Sequence, residues 1–174
     1  MKKLVNDSIS SYCDALARAV PTPGGGSSAA LVGALGVGLL EMGMGYSSFS
    51  NAHLKQIRKI RMHFMKLVDE DAQAYRGVVR TWKKGASQKK KALVRATEVP
   101  LEICQLCQEG LRLAERWQSQ VRPTLKNDWI TGEVFLRTAF KASSLNVREN
   151  LKQLKRTTIA VSLQREWQRV KNAC

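Results

Sequence analysis

The sequence is poor in the side chains that most often hold metal ions. It has two histidines, His53 and His63, and four cysteines, at positions 13, 104, 107 and 174. Cys104 and Cys107 form a C-x-x-C pair, but no second Cys or His pair stands at the spacing of a zinc site. We therefore predict no metal site and assign this pair to helix packing. The histidines lie in a basic stretch typical of a solvated surface, so neither is predicted to be catalytic.

Long hydrophobic runs are also missing. The longest, Ala29–Leu40, has twelve residues and is rich in glycine, whereas a membrane-spanning helix needs about 20 apolar residues. The run therefore predicts a buried helix, and no membrane partner is expected. Because the cysteines are scattered and no apolar signal segment opens the chain, we predict reduced thiols and a cytoplasmic location.

Acidic side chains are scarce. There are 14 against 29 lysines and arginines, which gives a net charge of +15 and a pI of about 10.1. This balance favours an anionic partner, which could be nucleic acid, a membrane surface or an acidic small molecule. Only Trp82 lies near the lysine run at 83–91, whereas nucleic-acid binding calls for interleaved aromatics or a recognition helix. Nucleic acid is thus not the expected partner, although a non-catalytic basic module that binds it or an acidic protein stays the rival hypothesis.

Helical periodicity dominates the sequence, and no segment alternates as a strand would. Six helices are predicted, and the first begins at Asn6–Ser8, ends at Pro21 and has Ile9, Tyr12, Leu16 and Val20 on one face. The next three span Ser27–Tyr46, Leu54–Trp82 and Leu93–Leu113, the last of these with a kink at Pro100. The fifth runs from Asn127 or Asp128, either of which is a good N-cap, towards Leu154, and the sixth spans Ile159–Val170. The fold class is therefore all-α. Residues 1–174 are predicted to form one domain, an antiparallel bundle of long helices.

A glycine-rich turn opens the second helix. Gly24–Gly26 follow two prolines and leave backbone N–H groups free at a helix N-terminus, where anions bind favourably. The turn lacks the features of a P-loop or a dinucleotide fingerprint, so a plain turn and a ligand site are equally supported. Behind it, Ala30, Ala34 and Gly38 share one face, and such small residues predict the close approach of another helix.

Two carboxylates are candidates for chemistry. Asp71 falls on the apolar stripe of the third helix, where burial would raise its pKa; a buried ion pair is the simpler alternative. Its neighbours Asp69 and Glu70 are predicted to be solvated. Asp128 heads the fifth helix, where capping alone would explain it. Placed together, Asp71 and Asp128 would give one site both a proton donor and a proton acceptor.

Two asparagines, Asn146 and Asn150, are four residues apart and share one face of the fifth helix. Amides in such positions either tie helices together or bind the polar edge of a ligand. From spacing alone, the tie is the simpler interpretation.

Five segments together carry a family resemblance. In order, "PTPGGGSSAALVGALG", "LVDEDAQAY", "ATEVPLEI", Asp128 and "NVRENL" resemble the cyclodeaminase and methenyltetrahydrofolate cyclohydrolase family. The resemblance spans nearly the whole chain and implies an all-helical, dimeric enzyme of folate one-carbon metabolism. It implies hydrolysis of methenyltetrahydrofolate to formyltetrahydrofolate, or alternatively cyclisation of formiminotetrahydrofolate with release of ammonia. Both reactions pass through a tetrahedral carbon between two nitrogens, so both need proton transfer and neither needs a metal or redox cofactor.

The resemblance also implies roles for individual residues. Asp71 matches the acid of the family's D-x-x-A-aromatic segment, and Asp128 matches the acid of its Ser-Asp pair, so both are expected to be catalytic. The residues expected to bind the folate are Pro23, Gly24, Gly25, Gly26, Ser27, Asn146 and Asn150. Because folates carry a glutamate tail that is often lengthened to polyglutamate, the basic surface would attract that tail.

Two departures from the family pattern bear on the site. Where many relatives have a lysine-rich segment, this chain reads "GYSSFSNAHLK", so a basic contact is either missing or supplied by Lys55 and Arg58. Asn127 replaces the serine of the Ser-Asp pair, which keeps the acid and removes a hydroxyl. A folate-binding relative with little activity is therefore a third hypothesis.

Overall fold

The chain folds as a helical bundle, and one of its long helices consists mainly of small and apolar residues. The computed structural model describes residues 3–154 and 157–172, and within these ranges it contains helices and turns but no strand. The helices are α1 Ile9–Ala17, α2 Gly25–Gly45, α3 Asn51–Thr81, α4 Ala86–Trp117, α5 Lys126–Gln153 and α6 Thr158–Asn172. The predicted all-α class is confirmed.

Helix α2 packs against α3 and α5, and α4 packs against the same two helices, so α2 and α4 occupy diagonal positions in the bundle. Positions 25, 36 and 43 of α2 meet Asn146, Gly132 and Trp129 of α5 in turn, so these two helices run antiparallel. Phe64 and Val68 of α3 and Leu136 of α5 are among the fully buried side chains of the shared core. The last helix, α6, lies against α4 and α5.

By length and composition alone, α2 could cross a membrane. It is the one helix among the described residues with this property, and half of its most apolar window is buried inside the bundle. A core helix has this pattern, as was predicted for Ala29–Leu40.

Close helix contacts form along α2, and Ala30 and Ala34, two of the three residues predicted to allow them, are buried in the core. A Cβ atom on Gly33 would lie 2.5 Å from the ring of Phe64, and one on Gly36 would lie 2.8 Å from the carbonyl oxygen of Gly132. A Cβ on Gly38 would make only an ordinary 3.8 Å contact with Arg61. Because glycines and alanines also stand outside the predicted positions of α2, the sequence spacing did not single out Gly33 and Gly36 as points of closest approach.

The first helix is shorter and less buried than predicted. Ser8 caps it as expected, accepting a hydrogen bond from the Ser11 N–H at 3.1 Å, but the helix ends at Ala17 rather than at Pro21. Tyr12 is its only buried residue, while Ile9 is 85% exposed. The predicted apolar face of this helix is therefore largely unburied in the single chain.

The N-cap of helix α5 lies two or three residues earlier than predicted. A short 3-10 turn, Pro123–Leu125, leads into it, and Leu125 occupies the N-cap position without a side-chain cap. Neither Asn127 nor Asp128 is the cap, because the 3-10 turn already supplies the entry into the helix. Asp128 instead lies inside the first turn, where the positive end of the helix dipole still favours its charge.

Candidate functional site

The glycine-rich turn forms the floor of the candidate site. Helix α2 starts at Gly25 without a side-chain cap, directly after the cis peptide bond between Thr22 and Pro23. Ser27, in the first turn, is fully buried, and its hydroxyl lies 3.0 Å from the Tyr12 hydroxyl. The Ser27 side chain therefore joins the first turn of α2 to Tyr12 of α1.

Asp71 on α3 reaches this turn. A Cβ atom on Gly26 would lie 2.1 Å from Asp71 Oδ1, so only glycine leaves room for the carboxyl group in this position. Burial raises the pKa of Asp71 to about 6, and the hydrogen bond from the backbone N–H of Ser27 partly offsets that rise. No lysine or arginine forms an ion pair with Asp71 within residues 3–154 and 157–172, so the buried ion pair considered from the sequence is not formed there.

Asp69 and Glu70, the acids next to Asp71, have different surroundings. Asp69, predicted to be solvated, is buried and accepts a 2.6 Å hydrogen bond from the backbone N–H of Leu4. The prediction failed because the N-terminal segment folds back over this side of α3. Glu70 is on the surface side of α3 and pairs with Lys66 at 3.0 Å and Arg95 at 2.5 Å.

The two asparagines of α5 have different surroundings. Asn146 lies against the turn, with Nδ2 4.0 Å from the position of a Cβ on Gly25. Asn150 Nδ2 donates a 2.6 Å hydrogen bond to the carbonyl oxygen of Ala96. That carbonyl has no helical donor, because the residue four positions later, Pro100, lacks an N–H group. Asn150 thus ties α5 to α4, and only Asn146 adjoins the turn.

Asp128 lies at the opposite end of α2. Its neighbour Trp129 packs on Gly43, at 3.1 Å from the position of a Cβ there, whereas Asp71 packs on Gly26. Seventeen residues of helix separate these two glycines, which corresponds to about 25 Å. Within one chain, therefore, the structure does not bring the two predicted catalytic acids into one site.

A basic groove of about 630 Å³ adjoins the turn and was not predicted as such. Its cations are Lys3, Arg76 and Arg80, and Val20, Pro21, Thr22, Gln73 and Val79 complete its walls. Arg76 Nη1 donates a 3.0 Å hydrogen bond to Thr22 Oγ1 and so holds the turn from outside. The sequence could have indicated a basic surface here, because residues 72–97 contain eight lysines and arginines and no acid.

Arg58, considered as a substitute for the basic contact that relatives have, is already paired. Its Nε lies 2.7 Å from Glu41 Oε1, and Arg61 Nε lies 2.6 Å from the other oxygen of the same carboxylate. The hydrogen bonds from these two arginines counter the desolvation of Glu41 and leave its pKa below the usual value. The cations nearest the turn are instead those of the basic groove.

Comparison with known proteins identifies the family of this chain. The sequence model of the family described as formiminotransferase-cyclodeaminase matches residues 8–169. This chain belongs to that family. A methenyltetrahydrofolate cyclohydrolase from Methylorubrum extorquens is 30% identical to it in an alignment 169 positions long, which covers 86% of this chain and 81% of the relative.

The fold is also that of a solved family structure. The formiminotetrahydrofolate cyclodeaminase from Thermotoga maritima superposes with a TM-score of 0.89 at 21% identity, covering 97% of this chain and 90% of the other. At this identity the match bears on the fold alone. Membership of the formiminotransferase-cyclodeaminase family agrees with the resemblance seen in the sequence.

Proposed function

We propose that this chain is an enzyme that hydrolyses methenyltetrahydrofolate to formyltetrahydrofolate. The observation that carries the proposal is the carboxyl group of Asp71, held over the N-terminus of α2 with a pKa of about 6. Such a group is populated in both protonation states near neutral pH, as a general acid and base must be. The name of the Methylorubrum relative supports the choice of substrate.

Asp71 can perform the proton transfers that this reaction needs. As a carboxylate it accepts a proton from the water that attacks the carbon between the two folate nitrogens. As a carboxylic acid it returns that proton to the nitrogen whose bond to the carbon breaks, while the hydroxyl of the intermediate loses its own proton to solvent and becomes the formyl oxygen. Asn146 and the N–H groups of Gly25 and Gly26 border the same space and would bind the ring edge of the folate, while the Ser27 N–H donates to the Asp71 carboxylate.

Two turnover assays run in parallel test this function. We expect purified protein to accelerate the loss of methenyltetrahydrofolate absorbance, and Asp71→Asn to reduce the rate at least about 100-fold while the fold is retained. Release of ammonia from formiminotetrahydrofolate, without methenyl hydrolysis, would instead establish the cyclodeaminase alternative. Folate binding without turnover of either substrate would indicate a non-catalytic relative, and a salt-sensitive shift of a nucleic-acid probe without folate binding would indicate the basic-module hypothesis.

We further propose that the enzyme acts as a homodimer in which the partner completes the site. One side of α2 carries a stripe of large apolar residues, in which Leu35 is 52% and Met42 37% exposed. Around it lie Met62 of α3 and Ile130 and Val134 of α5, each between 46% and 57% exposed. A second copy packed antiparallel along this α2 face would cover these residues and bring its own Asp128 to the Asp71 end.

The basic groove is our candidate for the glutamate tail of the substrate. It begins at Thr22, beside the turn, and its cations continue along α3 into the lysines at 83–91. An extended chain of carboxylates would meet positive charge along this path. We expect Arg80→Gln to raise KM for a polyglutamylated substrate more than for a monoglutamylated one, with exposed Lys59→Gln as the control. Equal activity of the wild-type enzyme towards both substrates at low salt would exclude this use of the groove.

A further inference from the structure

Tyr12 is the one buried residue of α1, and its hydroxyl contacts the candidate site. The side chain is 6% exposed, and its Oη lies 3.0 Å from Ser27 Oγ and 3.4 Å from Ser28 Oγ. Ser28 Oγ in turn donates to the carbonyl oxygen of Gly24 at 3.0 Å. Through these contacts one tyrosine is bonded to both serines of the first turn of α2.

The rest of α1 gives no packing reason for this arrangement. Ile9 and Leu16 are 85% and 38% exposed, so the helix adds little apolar burial apart from the Tyr12 ring. Burial of a tyrosine hydroxyl costs free energy unless it is hydrogen-bonded, and a phenylalanine would fill the same space without that requirement. The hydroxyl is therefore best explained by what it bonds to, the buried Ser27 side chain.

Ser27 connects Tyr12 to the reacting carboxyl group. Its side chain meets the Tyr12 hydroxyl, and its backbone N–H donates to the Asp71 carboxylate. A shift of Ser27 would therefore change the hydrogen bond to Asp71. Tyr12 itself contacts neither Asp71 nor the space for the substrate through any hydrogen bond of the described residues.

We propose that Tyr12 is a positioning residue, whose hydroxyl fixes Ser27 so that the Ser27 N–H stays aligned on the Asp71 carboxylate. The proposal rests on the proposed function in assigning a reaction to Asp71. The geometric part, the link from Tyr12 through Ser27 to Asp71, is independent of the substrate.

The test is Tyr12→Phe, which keeps the buried ring and removes only the hydroxyl. The titration of Asp71 is followed by NMR of ¹³C-carboxyl-labelled aspartate, with its signal assigned by comparison with Asp71→Asn. We expect the Asp71 pKa to rise by about half a unit, because a weaker N–H hydrogen bond stabilises the carboxylate less. The midpoint of the pH–rate profile should move upward with it, and kcat/KM should fall about 3- to 10-fold.

Two controls separate positioning from a general loss of stability. Ser143→Ala removes another buried hydrogen bond between elements, the 2.9 Å bond to the Pro100 carbonyl, and should leave the Asp71 titration unchanged. Once Ser27 is replaced by alanine, adding Tyr12→Phe should shift the Asp71 pKa no further. An unchanged Asp71 titration in Tyr12→Phe overturns the proposal, whether or not the protein turns over a folate. Absence of turnover in the wild-type protein would overturn the proposed function alone.

Discussion

At the scale of single residues, Asp71 links stability to pH. Burial raises its pKa from 3.8 to about 6 in the folded protein, so the folded state binds the proton more tightly than the unfolded state. The stabilisation from protonation is complete below the unfolded pKa and is lost as the pH rises through about 6. At neutral pH the Asp71 carboxyl group is therefore mostly ionised although it is partly buried, and this lowers the free energy of unfolding.

The variant Asp71→Asn keeps an oxygen that accepts from the Ser27 N–H but cannot ionise. At pH 7.5 we expect its free energy of unfolding to exceed that of the wild type by about 1–3 kcal/mol, with little or no gain at pH 4. Urea denaturation at the two pH values measures this difference. An equal change in the free energy of unfolding at both pH values would show that the Asp71 carboxyl group is not held in an environment that disfavours its charge.

Asn150 has a structural task that can be measured separately from activity. It donates to the Ala96 carbonyl, which Pro100 leaves without a helical partner. We expect Asn150→Ala to lower the free energy of unfolding by about 1–3 kcal/mol, the cost of an unsatisfied buried polar group. In a Pro100→Ala background, which restores the backbone donor, the same change should cost clearly less. Equal costs in both backgrounds would mean that Asn150 does not replace the missing helical bond.

At the scale of elements, the crossing of α2 and α5 depends on two glycines. A Cβ on either Gly36 or Gly132 would lie 2.8 Å from the carbonyl oxygen of the other, and a backbone atom cannot move aside as a side chain can. We expect Gly36→Ala to lower the free energy of unfolding by about 1–3 kcal/mol, measured by urea denaturation, despite the better helix propensity of alanine. Gly77→Ala in α3, where the nearest atom would be at 4.0 Å, is the control and should be neutral or stabilising. Stabilisation by Gly36→Ala would show that the helices can separate without loss.

At the scale of the whole molecule, the separation of Asp71 from Asp128 gives the proposed dimer a sharp test. If each site takes Asp71 from one copy and Asp128 from the other, Asp71→Asn and Asp128→Asn are each inactive as homodimers. A mixed dimer of the two would contain one intact site. After subunit exchange, an equimolar mixture should therefore recover roughly a quarter of the wild-type rate, since half of the dimers are mixed.

Two further measurements complete that test. Leu35→Glu places a charge on the α2 face and should shift the protein towards monomer in analytical ultracentrifugation, with loss of turnover. No recovery of activity in mixtures whose subunit exchange has been verified by labelled chains would contradict a shared site.

Much of this architecture could be predicted from the sequence. Helical periodicity predicted six helices and the all-α class, and the family motifs identified the turn at Gly24–Ser27. The helix ends and exposed faces were less predictable. Tyr12 and Ile9 were predicted on the same apolar face of the first helix, yet only Tyr12 is buried. Burial depends on whether another element covers that part of the face. The role of Asn150 was left open between a tie and a ligand contact, since spacing could not show that Ala96 needed a donor.

The sequence by itself determined the helical content, the excess of positive charge and the family. Each of these follows from residue types and local spacing along one chain. Only the tertiary structure decided which groups meet: it brings Asp71 to Gly26 and Asn146 to the turn, and it separates Asp128 from both by the length of α2. The physical reason is that a meeting between groups distant in sequence depends on how the helices pack, and residue types alone do not say which helix covers which face of α2.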